Sequence, residues 1–196
     1  MAKRSTICVI YIPGLGDRYD KLRTLGLRLW RLQGIETVLV PMKWEGDESY
    51  EEKYSRIMQV MVHVHETGKR VVLVGESAGG SMVMRGMADS PHLLHSVLTI
   101  CGKNSGASTV SPRLYKKHPA FSEAMQGADA AISRLSPDMR RAFISVHPTY
   151  DPVVPVGDTL LHGCRQVRLW AVGHFVPIVL ALSVYSPVVT RTIARL

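Results

Sequence analysis

Cysteine is scarce in this chain of 196 residues: Cys8, Cys101 and Cys164 are the three present. They are odd in number, scattered and never in C-x-x-C spacing, which argues against a disulfide framework or a zinc site and for a reducing compartment. Aromatic residues are also few, at 7%, and no basic stripe carries interleaved aromatics, so the usual footprint of a nucleic-acid binder is missing. Long apolar runs are absent. The stretch behind Lys3 and Arg4 ends at Pro13-Gly14, too soon for a signal-peptide core. The run 176–189 is broken by Pro177, Ser183 and Pro187 and is too short to span a bilayer. A cytoplasmic protein with no membrane span is expected.

Acidic residues are the minority, 16 against 24 lysines and arginines, giving a formal net charge of +8. A balance of that sign could suit nucleic acid or an anionic membrane. The charges are dispersed, however. Arg23 and Arg31 fall on the polar face of a helix whose apolar face is Leu22, Leu25, Leu29 and Leu32. The expectation is a solvated surface and no nucleic-acid partner.

What is present is an ordinary globular balance, 46% hydrophobic and 20% charged, in a length that suits one domain over 1–196. Valine- and isoleucine-rich runs at 7–12, 37–40, 70–74, 96–101, 142–146 and 167–172 alternate with helical patterns. That alternation predicts a three-layer α/β/α sandwich around a six-stranded parallel sheet. Ser49 and Glu52 form a capping box. Behind it Tyr50, Tyr54, Ile57, Met58, Met61, Val62 and His65 share one apolar face. The interval 102–140 is the longest between strands; its first part, to 112, reads as loop and 121–135 as helix, with Ser136-Pro137 ending it or opening a second. No repeat or linker divides the chain.

The most informative five residues are Gly75-Glu76-Ser77-Ala78-Gly79. They lie between the apolar run 70–74 and a helical stretch rich in methionine. A serine with glycine at both second neighbours, on a strand-to-helix turn, has the form of a nucleophile elbow. The turn is tight, and a Cβ at either flank would collide with its surroundings. It lifts the Ser77 hydroxyl to the positive end of a helix dipole beside the N–H of Ala78. A serine hydroxyl is a poor nucleophile at neutral pH and needs a base, which in turn needs an acid to orient it. Candidates follow two later strands: Asp151-Pro152-Val153-Val154-Pro155, then Gly173-His174-Phe175. Near the N-terminus, Pro13-Gly14-Leu15-Gly16-Asp17 can aim the N–H of Leu15 at a developing oxyanion, opposite Ala78.

These motifs, in this order, resemble those of a small α/β-hydrolase, a serine-hydrolase or esterase-like chain in reduced form. The resemblance runs from Ile7 to near the C-terminus. It implies Ser77 as nucleophile, His174 as base, Asp151 as acid, and Leu15 and Ala78 as oxyanion donors. The chain departs from the family in starting where a third strand should be. It has Pro13 where many members carry histidine, lacks the three-glycine oxyanion loop of larger carboxylesterases, and leaves no room for a large cap. The implied activity is cleavage of a carboxylic ester or thioester through an acyl-enzyme, without cofactor or metal. Transfer of the acyl group to another acceptor, or a silent binding module on the same fold, are the alternatives. Loops 44–50, 102–121 and 150–157 are expected to shape the pocket.

Other residues read more plainly. Asp158 rivals Asp151 as the acid but falls in or near the next helix. His63 and His65, two apart on a helix, point to different faces, and His92 and His95 have no carboxylate or cysteine beside them. His147 reads as structural. Cys101 is expected near the site but outranked by Ser77. Met82, Met84 and Met87 read as core filling.

Overall fold

Successive residues of a strand point to opposite faces of a sheet. In the computed structural model, which describes residues 6–195, β1 (Ile7–Ile12) therefore divides its apolar residues between two cores. Cys8, Ile10 and Ile12 enter one, and Ile7, Val9 and Tyr11 the other. Lys3 and Arg4 lie outside the described residues.

Five more strands follow: β2 (Glu36–Leu39), β3 (Arg70–Glu76), β4 (Ser96–Ile100), β5 (Phe143–Tyr150) and β6 (Arg165–Val172). All pairings are parallel, in the order β2-β1-β3-β4-β5-β6. The helices are α1 (Asp20–Arg31), α2 (Tyr50–Glu66), α3 (Gly79–Asp89), α4 (Pro112–Lys117), α5 (Pro119–Ile132), α6 (Pro137–Arg141), α7 (Val156–Thr159), α8 (Phe175–Leu182) and α9 (Ser186–Ala194). Residues of α2, α3 and α5 build one core with the sheet, and residues of α1, α8 and α9 build the other. The chain thus has the α/β/α sandwich expected of it, with short helices rather than a large cap between β4 and β5. Among the described residues, no single helix is long and apolar enough to cross a membrane.

Strand boundaries moved where backbone pairing outlasts apolar composition. β5 continues past residue 146 because His147 and Pro148 still pair with Arg168 and Leu169 across an irregular register. His147 to Tyr150 is therefore strand, and Asp151 comes immediately after its end. β6 likewise begins two residues early, at Arg165, opposite Ile144.

The face of α1 is reversed from the one its leucines suggest. Arg23, Leu27 and Trp30 are the buried side, while Leu22, Leu25, Leu29 and Leu32 are exposed. Both sets have helical spacing, so periodicity alone does not choose between them. Trp30 and Arg23 decide it. The indole meets Tyr11 edge-on at 6.5 Å and donates to the Ala181 carbonyl at 3.4 Å. Arg23 pairs with Glu76 beneath the turn after β3. Arg31, by contrast, is exposed as expected, and its guanidinium holds Thr37.

The capping box of α2 is formed: Glu52 N–H donates to Ser49 Oγ at 3.2 Å, and Ser49 N–H to Glu52 Oε2 at 2.7 Å. Tyr50, Tyr54, Ile57 and Met61 are buried, but Val62 and His65 face solvent. Lys53 is buried in their place because its ammonium donates to the carbonyls of Met42 and Lys43, at 3.0 and 2.7 Å. Ser136 caps a second helix, α6, rather than merely ending α5. Met82, Met84 and Met87 are all buried, as their core reading predicts.

Candidate active site

The turn between β3 and α3 is forced by close approach. A Cβ on Gly79 would stand 2.2 Å from the Ile12 carbonyl oxygen, and one on Gly75 would stand 2.6 Å from the Gly79 oxygen. Side chains at either place would push the helix off the strand. Between them Ser77 adopts φ 49°, a left-handed conformation that L-residues seldom hold. Neighbouring backbone over-determines it: Ser77 N–H donates to Ile100 O at 3.0 Å, and Ser77 O accepts from Gly80 and Lys103 at 2.9 and 3.0 Å.

Ser77, His174 and Asp151 come together from three strand ends. Ser77 Oγ lies 2.8 Å from His174 Nε2, and His174 Nδ1 lies 2.7 Å from Asp151 Oδ2. His174 is positioned by Gly173, at φ 98°, and by the start of α8. Asp151 is buried, and its second oxygen accepts the N–H groups of Val153 and Val154 at 2.8 and 2.9 Å. That fixed carboxylate requires the proton on Nδ1, which leaves Nε2 as acceptor for the Ser77 hydroxyl. The rival acid, Asp158, is engaged elsewhere, pairing with the Lys103 ammonium and accepting from Thr109 Oγ1.

A cavity of about 300 Å³ opens beside Ser77, walled by Leu15, Ala78, Val110, Leu114, Phe121 and Val154 among others. Loops 102–121 and 150–157 supply most of its lining, as expected, but 44–50 supplies none. Trp44 is buried instead, its Nε1 donating to the Pro13 carbonyl at 3.0 Å and bracing that turn from behind. The N–H groups of Leu15 and Ala78, both beside this cavity, carry no hydrogen bond among the described residues.

Sequence reasoning missed what holds the Leu15 turn against the elbow. The Arg23 guanidinium is buried and donates to both oxygens of Glu76, at 2.6 to 3.1 Å. It also donates to the carbonyls of Gly16 at 2.9 Å, Leu15 at 3.2 Å and Gly14 at 3.5 Å. The Gly14 carbonyl belongs to the same planar peptide unit as the Leu15 N–H, so holding one end aims the other the opposite way. Tyr11 completes the cluster, donating to Glu76 Oε2 at 2.6 Å. Burial, then the adjacent Glu76 carboxylate, pushes the Tyr11 hydroxyl well up, so it stays a donor. Burial works to lower Arg23, but Glu76 and Asp20 outweigh it and hold the guanidinium charged. No local signal marks this cluster, since Arg23 and Glu76 are 53 residues apart.

Cys101 lies near this geometry, as expected, without joining it, and the other singled-out residues stand apart. Cys101 is buried at the end of β4 with φ 49°, and burial, then Asp151 and Glu76, raises its thiol and keeps it protonated. His147 is buried with Nδ1 3.0 Å from Pro148 O. His63 and His65 are exposed on α2, and His95 Nε2 lies 3.3 Å from an Arg70 nitrogen.

Among solved structures, one described as LipS and LipT, two metagenome-derived lipolytic enzymes, superposes with TM-score 0.69 at 16% identity, covering 97% of this chain and 93% of its own. Est1E from Butyrivibrio proteoclasticus superposes with TM-score 0.71 at 13% identity, covering 98% and 89%. A monoacylglycerol lipase from Paleococcus ferrophilus gives 0.64 at 14%, covering 87% and 88%. No protein-family model matches the sequence, and no curated protein matches it. At these identities the likeness is one of fold: six parallel strands and flanking helices in the α/β-hydrolase arrangement.

Proposed function

From this α/β-hydrolase fold, we propose a serine hydrolase that cleaves a carboxylic ester or thioester through an acyl-enzyme on Ser77. The observation that carries the reading is the unbroken chain Ser77 Oγ, His174, Asp151 at 2.8 and 2.7 Å, beside an open cavity. Ser77 attacks the carbonyl carbon as His174 Nε2 takes the hydroxyl proton. Asp151 holds the imidazole in the tautomer that can accept it and stabilises the imidazolium. The N–H groups of Leu15 and Ala78 receive the oxyanion, aided by the α3 N-terminus. His174 then protonates the leaving alcohol or thiol, and water resolves the acyl-enzyme by the reverse sequence. Solved neighbours described as lipolytic enzymes and as a monoacylglycerol lipase fit this class of substrate. The three free thiols fit a reducing, cytoplasmic setting.

Turnover on a panel of soluble esters and thioesters tests the reading. Ser77→Ala and His174→Ala should each lose about 10⁴- to 10⁶-fold in kcat, with the fold intact by circular dichroism. Full activity in Ser77→Ala would remove the mechanism. Adding alcohols or amines to the reaction and analysing products separates hydrolysis from acyl transfer.

A further inference from the structure

A groove between α1 and α8, with Arg23 and Glu76 among its lining, holds none of the reacting groups. It encloses about 270 Å³, and carbon dominates its wall: Leu22, Leu25 and Leu29 face Phe175, Val179 and Leu182. Gly26 lets the helices meet closely, since a Cβ there would stand 2.8 Å from Leu182 Cβ. The rim is open to water. Leu22 is 50% exposed, Leu25 56% and Phe175 48%. Singly exposed apolar residues are commonplace, but a continuous run across two adjacent helices marks an interaction surface.

Charge selects the occupant. Lys21 and Arg28 share the exposed side of α1 with these leucines, and neither forms an ion pair among the described residues. The nearby acids are engaged: Asp20 accepts from Arg23, and Asp17 accepts the N–H groups of Trp44 and Glu45. A two-fold contact between copies through α1 would set these cations against each other, with Asp20 beside them already paired to Arg23. An anionic partner meets them favourably. Aliphatic bulk with isolated cations also suits a fluid boundary better than a structured protein surface, which needs directional polar contacts.

We propose that α1 and the start of α8 form a docking face for an anionic lipid surface, with the leucines and Phe175 entering the acyl boundary and Lys21 and Arg28 meeting lipid phosphates. Phe175 directly follows His174, whose ring is bonded to Ser77, so docking brings the site to the lipid boundary. The implied substrate is an ester of an amphiphile presented at that boundary, a statement that rests on the hydrolase reading; the docking itself does not.

Co-sedimentation of the full chain with phosphatidylcholine vesicles, with and without phosphatidylglycerol, at low and high salt, tests it. Binding should require the anionic lipid and weaken with salt. Arg28→Gln should weaken it about fivefold, and the double variant Leu25→Asp/Leu29→Asp about tenfold or more. The double variant should keep full activity on a soluble short-chain ester, which shows that it is folded. If that ester is hydrolysed while anionic vesicles bind wild type and double variant equally, or bind neither, the docking face is wrong and the reaction stands. Anionic-lipid binding abolished by the double variant, with no ester turned over by wild type, would support the face and remove the reaction. A wild-type dimer dissociated by Leu25→Asp would overturn the proposal in favour of self-contact.

Discussion

On the sheet face covered by α2, α3 and α5, methionines, isoleucines and aromatics fill the core, and residues read as apolar stripes are mostly the ones buried. On the face covered by α1, α8 and α9, a buried arginine and glutamate sit beside Leu27 and Trp30, while Leu22, Leu25 and Leu29 of α1, and Leu32 just past its end, look outward. The first face is held mainly by packing, with the buried Lys53 ammonium bonded to the Met42 and Lys43 carbonyls. The second trades part of its packing for an ion cluster that ties the Leu15 turn to the elbow of Ser77. Amphipathic spacing reports the period of a helix but does not say which side is buried when a charge has a partner waiting inside.

The largest effect should come from breaking that ion cluster. Arg23→Met leaves Glu76 buried without its cation and should cost about 3–5 kcal/mol in denaturant unfolding. Arg23→Met combined with Glu76→Gln should recover much of that stability. Activity of the double variant should stay about 10²-fold down in kcat with little change in KM, because the Leu15 N–H is no longer aimed. Restored turnover would show the cluster to be structural only. Next comes Leu27→Ala, on the buried side of α1, at about 2–5 kcal/mol. Removing the α2 cap with Ser49→Ala should cost about 1 kcal/mol. Smallest is Leu32→Ala, within about 0.5 kcal/mol despite its place in the leucine stripe. A Leu32 cost as large as that of Leu27 would show that the stripe is covered in solution.

Much of this was legible because the chemistry is local. Gly75 to Gly79 carry the steric demand of the turn within five residues, and the closest approach of any described glycine, 2.2 Å, is that of Gly79. Asp151 and His174 were legible by position, each just past a strand end. Six parallel strands followed from alternation of apolar runs with helices, although their ends did not, because ladder bonds ignore side-chain polarity. Hidden from sequence were the contacts between distant polar groups: Arg23 with Glu76, Lys53 with the carbonyls of Met42 and Lys43, and Lys103 with Asp158. A charged residue at a helical position gives no sign of a partner 53 residues away, and so the leucine spacing points to the wrong face of α1.

The most direct test of the central claim is labelling by a fluorophosphonate, with the modified peptide mapped by mass spectrometry in wild type and in His174→Ala. The account predicts phosphonylation of Ser77 that collapses in the variant. A label on another residue, or one undiminished without His174, would contradict it.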